Sequence, residues 1–74
     1  MRTSTTKVAK AREHADAGEY DQAAELLAEL AIEDRDGDIG YAERMRWEET
    51  FGVLERAGAT GKVREALRAR RVHS

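Results

Sequence analysis

Neither cysteine nor proline occurs among the 74 residues, and aromatic side chains are scarce, with one Trp, one Phe and two Tyr. Without Cys there is no disulfide staple and no thiolate metal site, and His14 and His73 stand too far apart to form a spaced ligand pair. No apolar run approaches the roughly 18 residues of a membrane span, and the opening MRTSTTKVAKAR lacks the apolar stretch of a signal peptide. A cytoplasmic protein with no metal, no cofactor and no membrane partner is expected. Without Pro the main helix breaker is missing, while 13 Ala and many Glu and Arg favour helix, so the expected class is all-α. Only about sixteen side chains are both apolar and larger than Ala. A single domain over residues 1–74 with a thin core follows, one that a second copy or a partner would complete.

The net charge of −2 hides a division along the chain. Residues 1–12 carry +4, residues 13–38 carry −9, residues 39–61 carry −1 and residues 62–74 carry +4. The middle is an acidic surface and the carboxyl end a basic one.

Four helices are expected, paired as two antiparallel helical hairpins. After a flexible stretch over 1–6, Thr6 is the favoured cap of a first helix over Lys7–Ala17, whose narrow inner face is Val8, Ala11, Ala15 and Gly18. Gly18 supplies the positive φ that ends this helix, and Asp21 caps the second. There Ala23, Leu26, Leu27, Leu30 and Ala31 form the best 3.6-period stripe of the chain, with Glu25, Glu29 and Glu33 assigned to solvent. The segment 33–40 reads as an acidic connector in which Asp38 caps the third helix. That helix, from Ile39 or Tyr41 to Ala57, gathers Trp47, Thr50, Phe51, Val53, Leu54 and Ala57 on one side and sends Tyr41 and Met45 elsewhere. The glycines of AGATG mark the next turn, and Thr60 caps a fourth helix over Gly61–Val72, ahead of a frayed end at 72–74. Val63, Ala66 and Leu67 form its apolar face, while Lys62, Arg64, Arg68, Arg70 and Arg71 make the rest basic.

Two ligand motifs are approached and missed. Asp34, Asp36 and Asp38 have the spacing that opens a calcium loop, but Ile39 and Met45 stand where that loop requires Gly and a bidentate Glu. Gly58–Lys62 lacks both the glycine spacing and the hydroxyl of a phosphate loop. No Ser, His and acid constellation is present, and the carboxylates follow helix-surface spacing, so a non-enzymatic chain is expected.

Gly18, Tyr20, Ala23 and Leu27 recur in part as Gly61, Val63 and Ala66, 43 residues later. The stretch Gly18–Leu30 resembles a tetratricopeptide repeat, with Gly18 and Tyr20 at the turn between paired helices, Ala23 as the small residue of close approach and Leu27 as the large apolar one. Ala11 matches the small residue of that family's first helix. Lys7, Lys10, His14 and Arg35 depart from its pattern. The resemblance implies tetratricopeptide-like hairpins, with a small helical bundle as the other arrangement, and a module that binds peptides or proteins.

A protein–protein interaction or adaptor role, with a protein partner or self-association, is therefore expected, and Tyr41, Met45, Trp47, Arg64, Arg68, Arg70 and Arg71 are the candidate contact residues. The alternative is nucleic-acid binding by a helix-turn-helix-like segment over 47–72, where a hydroxyl cap precedes the basic helix. Against it, Val63 lies five positions past Gly58 instead of the usual six, which rotates the helix by about 100°.

Overall fold

The computed structural model describes residues 3–35, 37 and 39–72. Four helices account for nearly all of them: α1 (Thr3–Asp16), α2 (Tyr20–Arg35), α3 (Tyr41–Arg56) and α4 (Thr60–Val72). The fold is all-α, arranged as two helical hairpins, α1–α2 and α3–α4.

Each hairpin turns on the same backbone device. Gly18 has φ 80°, the Glu19 N–H donates to the His14 carbonyl at 2.8 Å and the Gly18 N–H donates to that of Ala15. Gly58 has φ 72°, the Ala59 N–H donates to the Leu54 carbonyl at 2.8 Å and the Gly58 N–H donates to that of Glu55. These are two Schellman closures of a helix end, each needing a residue that tolerates the left-handed region. They correct the expected repeat register. Gly58, 40 residues after Gly18, is the structural counterpart, whereas Gly61 lies inside the first turn of α4 with no positive φ. Side-chain matching favoured Gly61, but what recurs is a backbone conformation, and in its register Val63 follows Ala23 and Leu67 follows Leu27.

The ion pairs reveal how the hairpins stack. Lys7 near the start of α1 reaches Glu33 near the end of α2 at 2.6 Å, so these helices are antiparallel. Arg12 reaches Glu49 at 3.7 Å and Thr5 donates to Glu43 at 3.1 Å, so α1 and α3 run parallel. Lys62 meets Asp21 at 2.7 Å and Arg70 meets Glu25 at 2.8 Å, so α2 and α4 run parallel as well. The second hairpin thus lies beside the first in the same orientation. Helix α2 is the central element, packed on α1 and α4, while α3 and α4 touch each other only narrowly.

The core is built largely from Ala. Ala11 and Ala15 of α1, Ala23, Ala24, Leu27, Ala28 and Leu30 of α2, Leu54 of α3, Val63 and Ala66 of α4, and Ala59 in the turn before α4 are all buried, with Val8. Short side chains let the helices approach closely, and the few large ones fill the remaining space. Thr50 is also buried, and its hydroxyl donates to the Arg46 carbonyl at 2.9 Å, so no polar cost is left there.

Several expected boundaries move. α1 begins at Thr3 rather than Lys7, and Thr5 in its first turn donates to Glu43 of α3. α2 continues to Arg35, which shortens the 33–40 connector, and Gly37 has φ 79°. The cap position of α3 is Gly40, with no side-chain cap, rather than Asp38, which lies outside the described residues. Asp21 and Thr60 are helical residues rather than caps, since α2 starts at Tyr20 and α4 at Thr60. Residues 1, 2, 73 and 74, within the expected flexible and frayed ends, lie outside the described residues.

Candidate interaction surfaces

The acidic face of α2 is not simply solvated. Glu29 lies 3.5 Å from Lys7 of α1 and 3.7 Å from Arg70 of α4, with Glu33 and Glu25 completing the pairs on either side. Lys62 and Asp21 close the lower end of the α2–α4 seam. Glu25, Glu29 and Glu33, expected on the solvated side, also carry ion pairs that link the central helix to both neighbours. The hydrogen bond with Glu33, reinforced by Glu29, raises the Lys7 ammonium above its ordinary pKa, and Asp21 does the same for Lys62.

This seam divides the basic residues of α4. Arg70 is half-buried and held by Glu25, so it is a fastening and not an open contact. Arg64 and Arg68 are exposed and have no ion-pair partner among the described residues. The side chain of Arg71 lies outside the described set. Asp34, first ligand of the abandoned calcium loop, pairs with Arg44 at 2.7 Å, while Asp36 and Asp38 lie outside the described residues.

Trp47 serves the interior first. Its indole Nε1–H donates to the Leu27 carbonyl at 2.8 Å, and its ring stacks on Phe51 with centroids 5.1 Å apart and planes 9° from parallel. The hydrogen bond and the stack fix the ring over the middle of α2. Its outer edge borders a shallow hollow of about 160 Å³ with Leu30, Ala31, Ile39 and the Asp34–Arg44 pair.

Among the described residues, Tyr41 and Met45 are the two large apolar side chains left open, 77% and 47% exposed. Met45 also faces a broader groove of about 630 Å³ between the parallel helices α1 and α3, where Val8 and Ala9 oppose Ala42 and Met45. Arg12 and Arg46 stand at its sides. Arg12 is committed to Asp16 at 3.1 Å, whereas Arg46 is exposed and has no ion-pair partner among the described residues. Sequence reasoning missed this groove, because Ala9 and Ala42 look like neutral surface alanines until α1 and α3 are known to lie side by side.

No family model, no curated protein and no solved structure matches this chain.

Proposed function

We propose that this chain is a small protein-interaction module made of two tetratricopeptide-like hairpins, with a binding rather than a catalytic role. The observation that carries the reading is the α1–α3 groove, an open trough formed by the first helix of each hairpin. Small side chains at Ala9 and Ala42 leave room for a partner's backbone, Met45 offers an adaptable apolar contact, and Arg46 an uncommitted cation. The parallel stacking of like helices and the shared turn chemistry at Gly18 and Gly58 support the comparison with helical repeats.

The test is a photoreactive amino acid at Ala42 in the cells that make the protein, with one at exposed Gln22 as control. The reading expects a discrete adduct with another protein at position 42, absent at position 22 and lost in Ala9→Trp, which fills the trough. Equal adducts at both positions, or an adduct indifferent to Ala9→Trp, would contradict it.

A second reading rests on Arg64 and Arg68, exposed one helical turn apart and without an ion-pair partner among the described residues. Duplex nucleic acid binding through α4 then predicts a salt-sensitive gel shift abolished by Arg64→Ala with Arg68→Ala. The commitment of Lys62 and Arg70 to α2 weakens this reading, since it removes two of the cations that such a surface needs.

A further inference from the structure

One residue of α3 has no role within the chain. Gly52 sits in the middle of a 16-residue helix, has no positive φ, and a Cβ built on it meets nothing within 4 Å. Neither backbone conformation nor internal packing requires glycine there, yet glycine in a helix interior is costly relative to alanine. A mid-helix glycine facing open space is explained when another backbone or a large side chain comes close to it from outside.

What surrounds Gly52 indicates what comes close. Tyr41 lies eleven residues earlier, which on a helix is about three turns and returns to within about 20° of the same direction. Met45 and Glu48 fall between them, so Tyr41, Met45, Glu48 and Gly52 follow the alternating four-three-four spacing of a seam that accepts a second helix. Tyr41 and Met45 are the exposed large apolar residues among the described residues, and both lie on this seam.

We propose that α3 pairs with α3 of a second copy of this chain, antiparallel about a two-fold axis, with Tyr41 of each copy seated over Gly52 of the other. The choice of a second copy follows from self-complementarity. A two-fold interface uses one patch twice, so it must carry both the projection and the vacancy that receives it. Tyr41 and Gly52 are such a pair, at opposite ends of one seam. In this register Met45 lies opposite Glu48, covering its aliphatic stem. The charges agree with it: Arg44 is exposed and uses Nε and Nη2 on Asp34, which leaves Nη1 for Glu48 across the axis. Glu48 is exposed and has no ion-pair partner among the described residues. The arrangement brings Arg and Glu together twice, once on each side of the axis.

The contact is small. A helix of 16 residues is about 24 Å long, and one helix pair buries area at the low end of specific interfaces. The dimer is therefore concentration-dependent rather than obligate. It rests on the interaction-module reading and shares Met45 with the groove, but Tyr41 and Gly52 lie outside the groove lining, so variants at Gly52 and at Ala9 let each fail without the other.

Sedimentation velocity from about 10 μM to about 1 mM tests it, a range suited to weak association. The expected result is a mass that rises with concentration from 8.3 kDa toward twice that value. Gly52→Gln and Tyr41→Ala should each hold the protein at the monomer mass throughout while leaving the helical circular dichroism unchanged. Gly52→Gln protects the test against misfolding, because it adds a helix former where the chain has open space. A monomer at every concentration in the unmodified protein, or a dimer undiminished in either variant, overturns the proposal. In both cases the Ala42 adduct and its block by Ala9→Trp still report separately on the groove.

Discussion

Leu27→Ala removes the side chain on which both hairpins converge. Leu27 is 0% exposed and belongs to one cluster with Ala11, Ala15, Ala23, Leu54 and Val63, while its carbonyl holds Trp47. Buried Leu→Ala changes cost about 2–5 kcal/mol, and the cost depends on how far the neighbours collapse into the cavity. Here most of the fully buried members of the cluster are alanines with no rotamer to swing inward, which puts the expected loss at about 3–4 kcal/mol. A 74-residue domain has a total stability of about 4–11 kcal/mol, so much of it disappears. At about 4–8 °C per kcal/mol the melting temperature should fall by about 12–32 °C. Circular dichroism melts of Leu27→Ala and Leu26→Ala provide the comparison, since Leu26 is only half-buried at the edge of the same cluster. If Leu27→Ala melted with the unmodified protein, or lost less than Leu26→Ala, the packing described around α2 would be wrong.

Gly18 and Gly52 should respond oppositely to alanine. Gly18→Ala strains a residue at φ 80° and costs about 1 kcal/mol or more, whereas Gly52→Ala gains about 0.5–1 kcal/mol at low concentration, where no dimer forms; urea titrations of the two variants measure both. The Lys7 pair predicts a dependence on alkaline pH. Because its folded pKa is raised above 10.5, its contribution is complete below that value and is lost as pH rises through the folded pKa. The stability difference between the unmodified protein and Lys7→Met should therefore narrow above about pH 10.5, and a difference constant to pH 12 would refute the assignment. Trp47→Phe keeps a ring to stack on Phe51 but deletes the donor to Leu27, and should cost about 1 kcal/mol in a chemical melt; no loss would mean that the indole bond is not made in solution.

Much of the fold was legible because its determinants are local. The Ala23, Leu27, Leu30 stripe, the Val8, Ala11, Ala15 face and the Gly18 stop are all properties of one helix or one turn, and each stands in the structure as expected. The exposure of Tyr41 and Met45 was legible from the same helical arithmetic. What escaped depends on neighbours. Thr5 in the first turn of α1 finds Glu43 only because α3 lies beside it, and Glu29 joins Lys7 to Arg70 only because α1 and α4 flank α2. The correct partner of Gly18 was hidden for another reason. Ala57 and Gly58 repeat Ala17 and Gly18, but their significance is a dihedral angle, and the eye follows the larger side chains of Val63 and Ala66 instead. The division of the α4 cations into fastened Arg70 and, among the described residues, unpartnered Arg64 and Arg68 likewise follows from the position of α2, which lies 45 residues away at Glu25.

The central claim is that α3 carries the surface by which this small module meets its own kind. It is met most directly by amide proton–nitrogen correlation spectra of the isotopically labelled protein across a concentration series. The account predicts progressive shifts gathered on Tyr41, Arg44, Met45, Glu48 and Gly52, with the amides of α2 and of Arg64 and Arg68 unmoved. Spectra that do not change with concentration, or shifts centred on α4, would contradict it.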